Sequence, residues 1–272
     1  MENSTHHVMG HSRRELERLS AQARLFDPLT RRLLTDAGLR PGMRVLDAGA
    51  GHGDLSLLAA RLVSPGGQVV AVDRSEAAVQ SLQQRAEALG LTHLQARQGE
   101  LSTLGAEAPF DAIIGRLVLM YLPDIPGTLR HLATLLKRGG LLAFQEFDFS
   151  GVRSLPEAPT FTRAIGWMTR ALEQSGAHLR IGLELRRHFL AAGLPVPTLR
   201  LEASLGGGAD YLGYSLVAEV LHSLLPVMQK LGVARPEEVE VATLARRLSE
   251  EVDSLGGVVV LPSLVGAWAR VP

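Results

Sequence analysis

The run Val45-Leu46-Asp47-Ala48-Gly49-Ala50-Gly51-His52-Gly53 sets three alternating glycines beside an acid, directly after an apolar stretch. Glycines between a strand and a helix let a ligand approach the backbone closely. Asp47 has two compatible uses there, as a strand-end acceptor for loop amides and as a ligand contact. A second acid, Asp73, closes Val69-Val70-Ala71-Val72 and is followed by Arg74. At a strand end its carboxylate can accept both hydroxyls of a ribose; its other use is to cap a helix beginning near Ser75. A dinucleotide fingerprint requires glycine or alanine three residues after its second glycine. Asp54 stands three after Gly51, and the frame starting at Gly51 meets Ser56, so nicotinamide dinucleotides are disfavoured in both frames.

The remaining composition narrows the chemistry. There is no cysteine, which removes disulfides, thiolate zinc sites and cysteine nucleophiles. No histidine pair has metal-ligand spacing, so no metal is expected. Lysine plus arginine equals aspartate plus glutamate at 28 each, giving no basic field for a nucleic acid. Only Lys137 and Lys230 are lysines, which is read as background. Residues 1–12 lack the apolar core of a signal peptide, and Asp27, Arg31 and Asp36 interrupt the adjoining segment, so a cytoplasmic protein without a membrane span is expected.

The elements that must hold these residues alternate. Ser12-Arg13-Arg14-Glu15 has capping-box spacing and opens a helix that Asp27-Pro28 interrupts; Asp27 then caps a second helix reaching Gly38. Apolar runs at 43–47, 68–72, 94–98, 111–115 and 141–147 read as strands, with helices to Val63 and over 75–89 and 125–137. Strand–helix alternation with nearly continuous apolar strands predicts a parallel, doubly wound α/β sheet covered on both faces. Beyond Phe149, helices are expected at 160–174 and 181–192, a strand at 198–203, a helix pair at 210–231 and 236–252, and a last strand within 258–271. The whole is read as one domain: an N-terminal helical segment (1–38), a ligand-binding core (39–150), and lid helices with the last two strands (151–272).

Val45 to Gly53 and Val70 to Asp73 resemble the first two motifs of class I S-adenosylmethionine-dependent methyltransferases. Gln98-Gly99-Glu100-Leu101 is similar to that family's segment after strand three. Phe110-Asp111-Ala112-Ile113-Ile114 resembles its fourth strand, and Leu136-Lys137-Arg138-Gly139-Gly140-Leu141 its glycine turn into strand five. The resemblance implies a Rossmann-like seven-stranded sheet with the last strand antiparallel, and S-adenosylmethionine as cofactor. The residues it implicates in binding are Asp47, Gly49, Gly51, Gly53, Asp73, Arg74, Gly99, Glu100, Leu101 and Arg116. Glu100 stands where the family more often has aspartate, and Arg116 where many members carry a small or polar residue. Arg116 has two open uses, orienting the cofactor's carboxylate or pairing with Glu146.

An activated sulfonium leaves the protein mainly to align an acceptor for in-line displacement and exclude water, so no nucleophile is required. Should the acceptor need a general base, the candidates are His11, Tyr121, Glu146 and His222, with Asp148 also near the strand ends. Tyr121 reads first as a core aromatic with its hydroxyl at the rim, and His11 also as an exposed terminal residue. His131 and His188 read as solvated. The segment Gly115-Arg116-Leu117-Val118 replaces the Asn-Pro-Pro-Tyr type of motif that grips base amines or glutamine. A small molecule, such as a natural-product intermediate or quinone precursor, is therefore the expected acceptor, with O-, N- or C-methylation open. Leu212, Leu216, Val220, Leu224 and Leu225 recur at helical spacing within 209–254, to pack on the sheet, cap an apolar substrate or form a dimer face. With 156–177 they would make a lid. Monomer and homodimer both remain open. The alternatives are a same-fold enzyme that uses S-adenosylmethionine without transferring methyl, and a noncatalytic binding module.

Overall fold

A computed structural model describes residues 13–105 and 109–272. The chain opens on α1 (Arg13–Ala37), an unbroken helix. This corrects the expected break at Asp27-Pro28: Pro28 lies inside the helix with its ring exposed, and the helix continues past it without that residue's backbone hydrogen bond. Asp27 is therefore no cap, and its carboxylate is available elsewhere. The proposed capping box at Ser12 lies outside the described residues.

The alternation then runs β1 (Arg44–Ala48), α2 (Asp54–Val63), β2 (Gln68–Asp73), α3 (Glu76–Ala88), β3 (Leu94–Gln98), β4 (Phe110–Arg116), a 3₁₀ turn (Leu119–Tyr121), α4 (Ile125–Ala133) and β5 (Leu136–Asp148). Helix α4 stops short of the expected Lys137. The Phe110 amide bonds to the Leu135 carbonyl, and Lys137 pairs with Asp111 at 2.6 Å, drawing 136–140 into the sheet. The second half contains β6 (Arg153–Leu155), α5 (Pro159–Gln174), α6 (Ile181–Ala191), β7 (Thr198–Glu202), β8 (Leu205–Gly206), α7 (Leu212–Lys230), α8 (Pro236–Val239), α9 (Val241–Ser254), β9 (Val258–Val260) and β10 (Ser263–Arg270). Two expectations are corrected here. The helix from Pro236 is split at Glu240, which is left-handed at φ 47°, and the last strand is split at Leu261-Pro262, where proline cannot donate to a ladder.

Seven strands form one sheet in the order β3-β2-β1-β4-β5-β10-β7. Strands β1 to β5 pair in parallel. At the β5 start, the Gly139 amide bonds to the Val271 carbonyl and the Val271 amide to the Gly140 carbonyl, so the end of β10 meets the beginning of β5 and β10 runs antiparallel. A second, antiparallel sheet, β6-β9-β8, was not anticipated; its strands are only two or three residues long.

The chain divides into two compact units. The sheet unit comprises 26–146, 181–201 and 264–272; the helical unit contains 147–180 and 202–263, with the start of α1. In the sheet unit, alternate strand residues Val45, Val69, Ala71, Ala112, Ile114, Leu141 and Ala143 form a core with Leu34, Leu57, Leu58 and Leu82 from α1, α2 and α3. The opposite-facing Leu46, Val70, Ile113 and Leu142 are buried as well, so both faces are covered. In the helical unit, α7 packs against α5 and α9. Leu216 and Leu224 of the expected apolar stripe are buried there, whereas Leu212 is exposed. No helix among the described residues is long and apolar enough to cross a membrane.

Candidate functional site

The carboxyl ends of β1, β2 and β3 lie side by side in the sheet unit, and the strand order reverses between β1 and β4. Open sheets bind ligands at such a switch point. The three glycines after β1 all have positive φ: 75° at Gly49, 53° at Gly51 and 93° at Gly53. Their surroundings differ. A Cβ on Gly49 would lie 2.2 Å from Val118 Cγ2, and one on Gly53 2.1 Å from Leu82 Cδ1, so protein packing requires both glycines. A Cβ on Gly51 would meet nothing within 4 Å among the described residues. Of the three, Gly51 alone faces open space, as a backbone cradle for a ligand must.

Asp73 organises this loop from the next strand. Its Oδ2 accepts the Gly51 amide at 2.8 Å, and its Oδ1 accepts the Ser75 amide at 2.9 Å ahead of α3. Ser75 itself supplies the helix cap, its Oγ accepting the Ala78 amide. Each Asp73 oxygen keeps a second lone pair for a ribose hydroxyl. The Gly99 amide bonds to the Asp73 carbonyl at 3.0 Å, bringing the 99–101 segment alongside; Leu101 is buried, while Glu100 and Arg74 are exposed.

Asp47 is fully buried on the α2 side of the sheet, as its parity with Val45 dictates. Its Oδ2 accepts the Ser56 hydroxyl, but Oδ1 is buried with no hydrogen-bond partner among the described residues. Burial pushes the carboxyl up to about 7, against the pull of the Ser56 hydrogen bond and nearby Arg116. An unpartnered buried carboxylate oxygen beside an open glycine cradle is suited to a cationic donor.

Arg116 and Glu146 do not pair, which corrects one of the two expectations for Arg116. In the β4–β5 register Arg116 lies opposite Gln145, so Glu146 points to the other face of the sheet. Arg116 instead reaches α1, donating to Asp27 at 2.9 Å and to the Thr30 hydroxyl at 3.0 Å, and Thr30 Oγ1 donates to Gln145. Burial pushes Asp27 upward, with Arg116 opposing it. Glu146 accepts the amides of Val118 and Leu119 at 2.9 Å each and of Met120 at 3.4 Å. Burial pushes it up to about 7, with those amides pulling it back. Its geometry is that of an anchor for the turn after β4. That turn begins at Leu117, left-handed at φ 56° although not glycine, and Val118 packs on Gly49.

Among the other candidates, Tyr121 is half-buried in the 3₁₀ turn. Asp148 accepts from the Ser150 amide and hydroxyl. His131 lies 3.0 Å from the Leu104 carbonyl and His188 3.5 Å from Glu184, so neither is simply solvated. His222, in the helical unit, has an enclosed Nδ1 with no partner among the described residues. His11 is outside the described residues. Sequence reasoning missed Thr30, Gln145, Ser56 and Arg85. Arg85 bonds to the His52 carbonyl at 2.6 Å and Asp54 at 2.7 Å, locking the start of α2 to α3. Only Arg85 carried a hint, as a lone cation on a helix after the loop.

A glycine loop at a parallel strand end, its amide clamped by an acid on the adjacent strand, is the arrangement of a doubly wound α/β domain at its switch point. A family model described as Methyltransferase domain matches residues 39–176, just over half of the chain. The chain belongs to the class I S-adenosylmethionine-dependent methyltransferases. It is 34% identical over 116 residues to nocamycin O-methyltransferase of Saccharothrix syringae, a match covering 42% of this chain and 41% of that protein. It is 39% identical over 106 residues to 2-phytyl-1,4-naphtoquinone methyltransferase of Synechococcus elongatus, covering 38% and 46%. The chain thus aligns with less than half the length of these relatives. The crystal structure of YcgJ from Bacillus subtilis superposes with a TM-score of 0.56 at 18% identity, covering 89% of this chain and 97% of that one, and so shares the fold.

Proposed function

We propose that the chain transfers a methyl group from S-adenosylmethionine to a small, largely apolar acceptor. The observation that carries this is the pairing of Gly51, which faces open space, with Asp73, which clamps its amide and retains free lone pairs. The site's chemistry fits the cofactor. Asp73 would accept the ribose hydroxyls, 99–101 would hold the adenine, and the free Asp47 Oδ1 would accept from the amino group of the methionine portion. When bound, the cofactor supplies a methyl group already activated on a sulfonium.

The protein's own tasks are then orientation and exclusion of water. Glu146 fixes the turn carrying Val118 against Gly49, and the Asp27–Arg116 pair ties α1 to the end of β4. Arg116 is largely neutralised by Asp27, leaving its remaining N–H groups to orient a carboxylate. The relatives' names, an O-methyltransferase for nocamycin and a methyltransferase for a naphthoquinone, support an oxygenated ring acceptor and disfavour nucleic acid.

Calorimetric titration with S-adenosylmethionine, S-adenosylhomocysteine and NADH tests the cofactor assignment. Binding of the first two without NADH is expected, and NADH binding alone would reverse the assignment. Incubation with S-adenosylmethionine and a hydroxyquinone panel should then yield S-adenosylhomocysteine with a singly methylated product. Cofactor binding with no methyl transfer across the panel would favour a non-transferring role.

A further inference from the structure

Asp47 closes β1 within the sheet unit, fully buried, with only one of its two oxygens engaged. Ser56 donates to Oδ2, and Oδ1 has no hydrogen-bond partner among the described residues. Asp47 is opposite Ile114 in the β1–β4 register, and Arg116 follows two residues along β4, so Asp47 and Arg116 share one face of the sheet. Arg116 is the cation placed to neutralise Asp47, yet its guanidinium is turned to Asp27 and Thr30 of α1. On β2, Asp73 repels the charged form of Asp47. Asp54, at the start of α2, is paired with Arg85 of α3, and the same arginine holds the carbonyl of buried His52. A fully buried carboxylate with one hydrogen bond and no cation in contact is costly to ionise. Burial pushes this carboxyl up to about 7, with the Ser56 bond and Arg116 pulling it back.

We propose that Asp47 makes the glycine loop selective for a ligand that carries an ammonium group, and that such a ligand binds by displacing a proton from this carboxyl to solvent. This rests on the methyl-transfer reading above, in which the amino group of the cofactor's methionine portion meets Asp47 Oδ1. An ammonium beside Oδ1 favours the ionised carboxyl, so the protein holds fewer protons with the ligand than without it. Affinity therefore rises as pH rises towards and through 7, and falls as acid protonates the carboxyl against the ligand. The ammonium keeps its own protons, and the one released is the carboxyl's. A nucleoside without the amino acid portion leaves Asp47 as it was.

The test is calorimetric titration of the full chain with S-adenosylhomocysteine and with 5′-methylthioadenosine, which keeps the nucleoside but lacks the amino acid. Each titration is run in two buffers of different ionisation enthalpy at matched pH, so that the difference in heat counts the protons exchanged. Wild type is expected to release about half a proton per S-adenosylhomocysteine at pH 7, nearly one at pH 5.5 and almost none at pH 8.5. Its affinity should be about twentyfold weaker at pH 5.5 than at pH 7.5. 5′-Methylthioadenosine should release none, and Asp47→Asn should bind S-adenosylhomocysteine more weakly, without proton release or this pH dependence. S-adenosylhomocysteine binding without proton release at pH 5.5 and 7 overturns the inference and leaves the methyl-transfer reading intact. Release that persists in Asp47→Asn, or that 5′-methylthioadenosine also produces, overturns it in the same way. The comparison of the two ligands on wild type decides the matter even where Asp47→Asn does not fold, which its thermal unfolding would show. Wild type that takes up no S-adenosylhomocysteine at any pH removes the methyl-transfer reading and this inference with it.

Discussion

Asp73 clamps the glycine loop and, in the proposed function, a ribose as well. Removing it in Asp73→Ala deletes the acceptors for the Gly51 and Ser75 amides as well as any ribose contact. Affinity for S-adenosylhomocysteine should drop by about 1.5–3 kcal/mol for each charge-assisted bond lost. Unchanged calorimetric affinity would remove Asp73 from the ribose role. The glycines allow a sharper separation. Gly53→Ala must displace Leu82 and should lower Tm strongly, whatever the ligand. Gly51→Ala meets no protein atom and carries only left-handed strain, about 1 kcal/mol, yet should lose most of its cofactor affinity. If Gly51→Ala bound normally, the open space at that position would not be the cofactor's.

At the scale of elements, the turn after β4 depends on a single side chain. Glu146 gathers three successive amides from the opposite face of β5 and thereby sets Val118 against the glycine loop. Glu146→Gln can keep an oxygen on the Val118 and Leu119 amides but turns its NH₂ group toward the Met120 amide, and should cost about 1 kcal/mol of stability together with a measurable loss of cofactor affinity. Chemical denaturation with parallel titration would check both; a variant as stable as wild type would deny Glu146 its anchoring role. Helix α1 offers the reverse test. Pro28 forgoes a backbone hydrogen bond inside the helix, so Pro28→Ala should raise stability by about 1–3 kcal/mol. A fall in Tm would mean that the helix needs the proline geometry to present Asp27 to Arg116.

For the whole molecule, two buried carboxyls govern the response to pH. Asp47 and Glu146 are each raised to about 7 from ordinary values near 4. The native state therefore holds their protons more tightly than the unfolded chain does. Their contribution to stability is fully present below about pH 4 and is lost as pH rises through 7. Thermal unfolding should accordingly give a higher Tm at pH 5.5 than at pH 8, and Asp47→Asn should shrink the difference. An unchanged difference in that variant would show that Asp47 does not titrate in this window. The alternating apolar runs and the spacing of glycines and acids over 45–73 were enough to read the parallel strands and the positive-φ glycine loop, because covered strands and tight turns constrain local residue types. The fate of Arg116 was not legible, because a one-residue pleat offset puts Gln145 beside it and turns Glu146 away. Nor was the persistence of α1 through Pro28, because the burial of Phe26, Thr30, Leu33 and Leu34 on the same helix is a tertiary contribution that the local rule does not include. Tertiary packing alone decided which glycines the protein's own side chains require and which faces open space. Identical residues at alternate positions carry no local signal of what a Cβ would meet, and only the placement of Val118 and Leu82 distinguishes Gly49 and Gly53 from Gly51.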